Sequence, residues 1–288
     1  MPEIHFPTYR DYVRNRIDVN NSMMALLAGS RMAAHLLEDK KGSTETLSEL
    51  FADVGHIQSF NLVTDSARDL LINADQHIAS VSLPYALATH EAFVRQMIKL
   101  IRDNGTTIID DGERIRAFNM HAVFFASCNH SEPTTWMQIF HVLREARNCI
   151  IHLNGGVSPE LKTAIVQMGP DARAEWQRMN QQSLPKDLMG KDKRLTLTAE
   201  HIFTSFATTK ALGREMNTML GQHLSGDAWA RIAVEDYASQ TKKPRNSSQW
   251  SRGVAGYARQ MYSGAPCGKR EIEQAAREAG LWTAPDWT

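Results

Sequence analysis

The sequence predicts an all-α helical bundle with a helical extension at its C-terminus, and three observations carry that expectation. Apolar residues in nearly every periodic stretch recur at a spacing of three to four, the period of a helix facing a core. The stretches are bounded by helix punctuation, such as Ser131-Glu132-Pro133-Thr134 before one and Asn154-Gly155-Gly156 after it. Strand signals are weak, and no internal repeat is visible.

Taken in order, residues 8–38 read as one long helix with a polar patch at Asn20-Asn21, closed by Lys40-Lys41-Gly42-Ser43. Residues 46–52 read as a short helix and 57–77 as a longer one. Leu83-Pro84 is expected to open a new helix, because proline suits a first turn. Its apolar positions Leu87, Phe93, Val94, Met97, Ile98 and Ile101 keep the helical period until Asn104-Gly105. Asp110-Asp111-Gly112 marks a turn, followed by a helix over 113–127 and another over 134–153. Ser158-Pro159-Glu160 starts a short helix, and 181–193 is polar, carries Pro185 and Gly190, and reads as a loop. A long helix covers 198–224, Gly226 is a boundary, and 268–281 is a short amphipathic helix. The expected organisation is an N-terminal helical extension over 1–54, a bundle over 55–225 and a basic C-terminal module over 226–288.

Composition narrows the classes. A chain of 288 residues with 42% hydrophobic and 22% charged residues can bury a sizeable core and is not of disordered type. Lys plus Arg and Asp plus Glu both number 32, so only the distribution of charge can speak for a nucleic-acid partner. Cys128, Cys149 and Cys267 are odd in number, far apart and without CxxC spacing, which fits a reduced cytoplasmic setting and no zinc site. The N-terminus lacks a basic and then apolar leader pattern, and no apolar run approaches a membrane span. No H-E-x-x-H pair, phosphate-binding glycine loop or G-x-S-x-G elbow is present, so no metal or cofactor is expected.

The tail is basic. Between Tyr237 and Arg270 stand seven cations, Lys242, Lys243, Arg245, Arg252, Arg259, Lys269 and Arg270, with no Asp or Glu among them. Trp250, Tyr257 and Tyr262 are interleaved. Cations with aromatics make a surface for phosphates and bases, or else a linker and a solvated helix face. Trp282 and Trp287 either dock the tail or meet a partner.

The helix over 134–153 is the most informative. At about 100° per residue, Ile139, Leu143, Ala146, Ile150 and Leu153 form an apolar stripe. His141, Arg144, Asn148 and His152 lie opposite, so Asn148 and His152 stack one turn apart. Arg147 sits about 140° round from His152 on a straight helix. To act together they require either a distorted helix end or a second chain.

Arg147-Asn148-Cys149-Ile150-Ile151-His152 resembles the R-N-x-x-x-H motif of the HEPN superfamily, with a glycine turn following as it often does there. The stretch Thr89-His90-Glu91-Ala92-Phe93-Val94-Arg95 resembles the preceding core helix of the same family. The likeness spans roughly residues 55–225 and is concentrated at the motif. A second R-x-x-x-x-H spacing, Arg116 to His121, lacks the asparagine. The resemblance implies a helical bundle, a face-to-face homodimer and, in many members, RNA cleavage without metal. It implies a toxin or anti-phage defence effector, with an antitoxin or other regulatory protein as a further partner. It also implies that Glu91 holds Arg147. Members silenced by a nucleotidyltransferase often carry Tyr two residues beyond the motif His, where this chain has Asn154, so that regulation is not expected here.

The chemistry suits the residue types. RNA carries its own nucleophile in the 2′-OH. Histidine titrates near neutrality and can take the nucleophile's proton or protonate the leaving oxygen, which assigns acid/base work to His152. A guanidinium stabilises the more anionic transition state, which assigns that charge to Arg147. Asn148 either orients His152 or binds a phosphate oxygen, and Arg144 is a second cation for RNA. The competing expectation is a non-catalytic helical dimer that binds nucleic acid or a protein, in which Arg147 and His152 are structural.

Overall fold

Twelve helices follow one another along the chain in the computed structural model, which describes residues 2–59, 61–109, 112, 114–190 and 192–287. They are α1 Pro7–Leu36, α2 Leu47–Leu50, α3 Thr64–Ile72, α4 Ala74–Asp103, α5 Met120–Ser127, α6 Thr134–Leu153, α7 Pro159–Gln167, α8 Pro170–Met179, α9 Ala199–His223, α10 Gly226–Gln240, α11 Ser248–Met261 and α12 Lys269–Glu278. Among the described residues there is no strand, only isolated bridges such as Gly156 with Arg194. The fold is all-α, as the periodicity predicts. Among the described residues, no helix is long and apolar enough to cross a membrane.

The boundaries expected at 57–77 and 83 are corrected. The break falls at Asn73, whose side-chain amide and backbone N–H both bond the Asp69 carbonyl and so end α3. Pro84 lies inside α4 and opens nothing. The helix continues through it because Ala79, Leu83, Ala86 and Leu87, on both sides of the proline, share one buried face. Burial of that face outweighs the hydrogen bond that proline cannot donate. The helix expected from residue 113 begins instead at Met120. Upstream, the Asn119 side chain accepts the Arg116 N–H at 2.7 Å and holds a turn. Of the turn expected at 110–112, Asp110 and Asp111 lie outside the described residues, as does Glu113.

The chain folds as two compact units, each assembled from several stretches. The first comprises Met1–Asn15, Ala88–Met137 and Thr208–Thr288. Its core is aromatic: Tyr12 stacks on Phe93 at 4.1 Å, and Trp229 meets Phe6 and Tyr262 at 5.5 and 6.1 Å. The N-terminal segment is threaded into this unit by backbone bonds. The Asn217 side chain grips both the N–H and the carbonyl of Ile4, and the His5 N–H donates to the Met261 carbonyl. Asp236 is buried on α10 and accepts both Arg10 guanidinium nitrogens at 2.8 Å and the hydroxyls of Tyr257 and Tyr262 at 2.8 and 2.7 Å. Burial alone would raise its pKa, but these donors outweigh burial and hold the carboxyl below its ordinary value. Trp282 packs on Trp250 of α11 and on Trp287, so the tail docks through its tryptophans.

The second unit comprises Arg16–Leu87 and Gln138–Ala207. Its core joins Leu83 and Leu87 of α4, Ile139, Leu143 and Ala146 of α6, Leu161 of α7, Trp176 of α8 and Ile202 of α9, all buried. Ser158 caps α7 through the Leu161 N–H, with Pro159 in its first turn, as the sequence signals.

Candidate functional site

The end of α6 is built and pinned locally. Its buried stripe in the second unit runs Ile139, Val142, Leu143, Ala146 and Cys149. The expected continuation holds only in part: Ile150 is half-buried but Leu153 is 50% exposed, because the last turn leaves the core. The helix stays regular through Leu153. Asn154 and Gly155 then turn left-handed, at φ 47 and 81°, and the Gly155 N–H returns to the Cys149 carbonyl at 2.9 Å. A loop clasps this turn: Leu195 donates to the Gly155 carbonyl, Val157 donates to the Lys193 carbonyl, and the Arg194 guanidinium donates to the Asn154 carbonyl. The glycine stop predicted at 154–156 therefore sets the position of the preceding turn, which carries His152.

His152 is exposed at that last turn. With Glu145, Asn148, Leu153 and, from the start of α7, Ser158 and Glu160, it lines an open cleft of about 290 Å³. Asn148 and His152 thus share a face, as their spacing predicts. Asn148 is held from two sides: its carbonyl oxygen accepts Arg147 Nη1 at 3.2 Å and its amide donates to Glu145 Oε2 at 3.1 Å. Arg144 is committed to Glu145 by an ion pair at 2.6 Å, with both side chains largely buried. The array Arg144–Glu145–Asn148–Arg147 is continuous along α6. His152 stands one turn beyond it, with no side-chain bond from Asn148 among the described residues. Arg147 is half-buried and does not line the cleft. His141, further back on α6, is lowered to about pKa 4 by burial and by the Arg144 charge.

Glu145 is the residue that the sequence reading omitted from the site. The signal was present: Glu145 and His152 are seven residues apart, so they lie within about 20° on a straight helix. Glu160 is reached only through the fold of the 154–158 turn.

The remaining sequence-predicted residues belong to the first unit. Glu91 is half-buried on α4, within the first unit. The second R-x-x-x-x-H copy places His121 in the interior, 1% exposed and 2.9 Å from His90, which itself bonds Tyr12. Lys242, Lys243, Arg245, Arg252 and Arg259 are all exposed. Two of their three expected aromatic companions offer no ring face to a base. Trp250 and Tyr262 are each 1% exposed, and Tyr257 is bonded to Asp236. Arg252 and Arg259 line a groove formed by α11 and α12. No three His, Cys, Asp or Glu side chains among the described residues gather as metal ligands would.

No family model, curated protein or solved structure matches the chain.

Proposed function

We propose that the chain is a HEPN-type endoribonuclease that cleaves RNA through attack of the 2′-OH on the adjacent phosphate. The observation that supports this reading is His152, exposed at a pinned helix end, over a cleft it shares with Asn148 and Glu145. His152 takes the 2′-OH proton as the oxygen attacks phosphorus, and a second histidine protonates the departing 5′ oxygen. The RNA backbone is an anion, and Arg147 supplies charge to its transition state. Asn148, gripped by Arg147 and Glu145, offers its amide to a phosphate oxygen. One chain holds a single motif histidine, and Arg147 does not line that cleft, so the reading calls for a homodimer in which a second copy completes the site. The exposed side chains of Ile151 and Leu153, on either side of His152, are apolar surface for such a partner. Lys242, Lys243 and Arg245 remain for phosphate contacts. A toxin or defence role, with an antitoxin or regulatory partner, follows from the resemblance alone.

The test is cleavage of total RNA in EDTA by wild type and by His152→Ala. Cutting by wild type only supports the nuclease. Cutting by neither, or by both equally, turns the assignment to the second reading, a non-catalytic dimer. The array Arg144–Glu145–Asn148–Arg147 favours that reading, since its members bond one another along α6 as a structural element would.

A further inference from the structure

Helices α11 and α12 form a half-open groove of about 680 Å³. That volume falls in the range of sites for single small molecules. Its lining separates by chemistry. Ala255 and Ala258 of α11 and Ile272 of α12 supply an apolar floor, while Arg252, Arg259 and Lys269 stand at its rim. Arg252 and Arg259 are seven residues apart, on one line of α11 and about 10.5 Å from each other along its axis. Their hydrogen bonds reach only their own helix, to the Ser248 and Ala255 carbonyls and the Ser248 hydroxyl. None of the three cations has an acidic partner among the described residues.

What the groove lacks also selects. Ser263 is its one open hydroxyl, since the Tyr262 hydroxyl is donated to Asp236. A sugar or a nucleobase also needs side-chain acceptors, and this cation-rich lining holds no carboxylate or amide to supply them. A stacked base needs an open ring face, yet Trp250 and Tyr262 are both buried. An apolar body with an anionic head matches both parts of the lining.

We propose that the α11–α12 groove binds an aliphatic organic anion of the fatty-acid class, its chain on Ala255, Ala258 and Ile272 and its carboxylate on the cationic rim. The site is independent of the nuclease reading, because its lining residues all belong to α11, α12 and the turn that joins them.

The test is isothermal titration of the full chain with laurate below its micellar concentration. Dodecyl maltoside supplies a chain without charge, and acetate supplies charge without a chain. Laurate should bind saturably at one site, with both controls at least about tenfold weaker. Arg252→Gln combined with Arg259→Gln should weaken laurate by about tenfold or more. These residues are exposed, so the double variant should keep the wild-type circular dichroism. Ala255→Trp, which fills the floor, should do the same from the apolar side. No laurate binding, equal binding of dodecyl maltoside, or unchanged affinity in the double variant would overturn the proposal. So would displacement of laurate by a single-stranded RNA oligonucleotide, which would assign the groove to nucleic acid.

Discussion

Asn148 donates its side-chain amide to Glu145 one turn earlier on α6, at 3.1 Å, and the same Glu145 pairs with Arg144 at 2.6 Å. One carboxylate therefore serves a cation and an amide in a largely buried setting. Removing it takes away the ion-pair partner of Arg144 and the acceptor of the Asn148 amide. Glu145→Ala should destabilise the chain by about 1–3 kcal/mol, the range for orphaning a buried charged hydrogen-bond partner. Urea unfolding measures this. Glu145→Gln keeps the amide's acceptor but loses the charge, and should fall between. A midpoint unchanged in Glu145→Ala would show the array to be ornamental.

His152 should behave in the opposite way. It is exposed, so His152→Ala should change stability by no more than about 0.5 kcal/mol. On the nuclease proposal, the same change should lower cleavage by about 10²–10⁴-fold. Arg147→Ala should cost about 10²-fold or more, with Lys restoring only part, because an ammonium does not reproduce the guanidinium's planar pair of donors. Mixing wild type with His152→Ala is the sharper measurement. On the nuclease proposal each mixed dimer keeps one His152 and lacks the second histidine, so excess variant should suppress wild-type cleavage. Undiminished cleavage, with mixed dimers shown to form, would place each site within one chain.

Helix identity was legible because the three-to-four period survives wherever one face is buried. Boundaries were less so, and Pro84 shows why. Proline at a first turn and proline within a helix look alike in sequence, and only the burial of Ala79, Leu83, Ala86 and Leu87 on one face decides between them. The α6 face was legible from spacing alone, including the Asn148–His152 pair. Which of its polar groups engage one another was not, since side-chain reach and rotamer are set by packing. The tail misled for a related reason: Trp250 and Tyr262 read as candidate stacking rings but serve the core, and nothing in local composition separates the two uses.

The same proline gives a test of the corrected boundary. Inside α4 it leaves the Ser80 carbonyl without the bond that residue 84 would donate. Pro84→Ala restores that donor and a better helix former, so it should stabilise the chain by about 1–3 kcal/mol. Thermal unfolding followed by circular dichroism reads this as a higher Tm. A lower Tm would mean that the chain needs the irregularity proline imposes, and would return residue 84 to the role of a helix start.

Acid should weaken the fold well before most carboxylates titrate. Burial lowers His90 to about pKa 3 and His201 to about 4; it does the same to His141, to about 4, with help from Arg144. Their ordinary value is 6.5. The sign follows from proton counting. Between pH 6.5 and about 4 the unfolded chain protonates these histidines and the folded chain does not, so the unfolded state binds more protons and stability falls as pH falls. Their contribution is fully present above the unfolded value and is lost on the way down to the folded one. Each contributes a slope of up to about 1.4 kcal/mol per pH unit in that window. Denaturant midpoints at about pH 7.5 and about pH 5 should differ accordingly. His201→Asn, which removes one titrating ring, should flatten the profile relative to wild type. A midpoint constant across the window would mean that the buried rings take up protons in the folded state, contrary to the neutral His90–His121 contact at 2.9 Å, where one ring nitrogen must donate and the other accept.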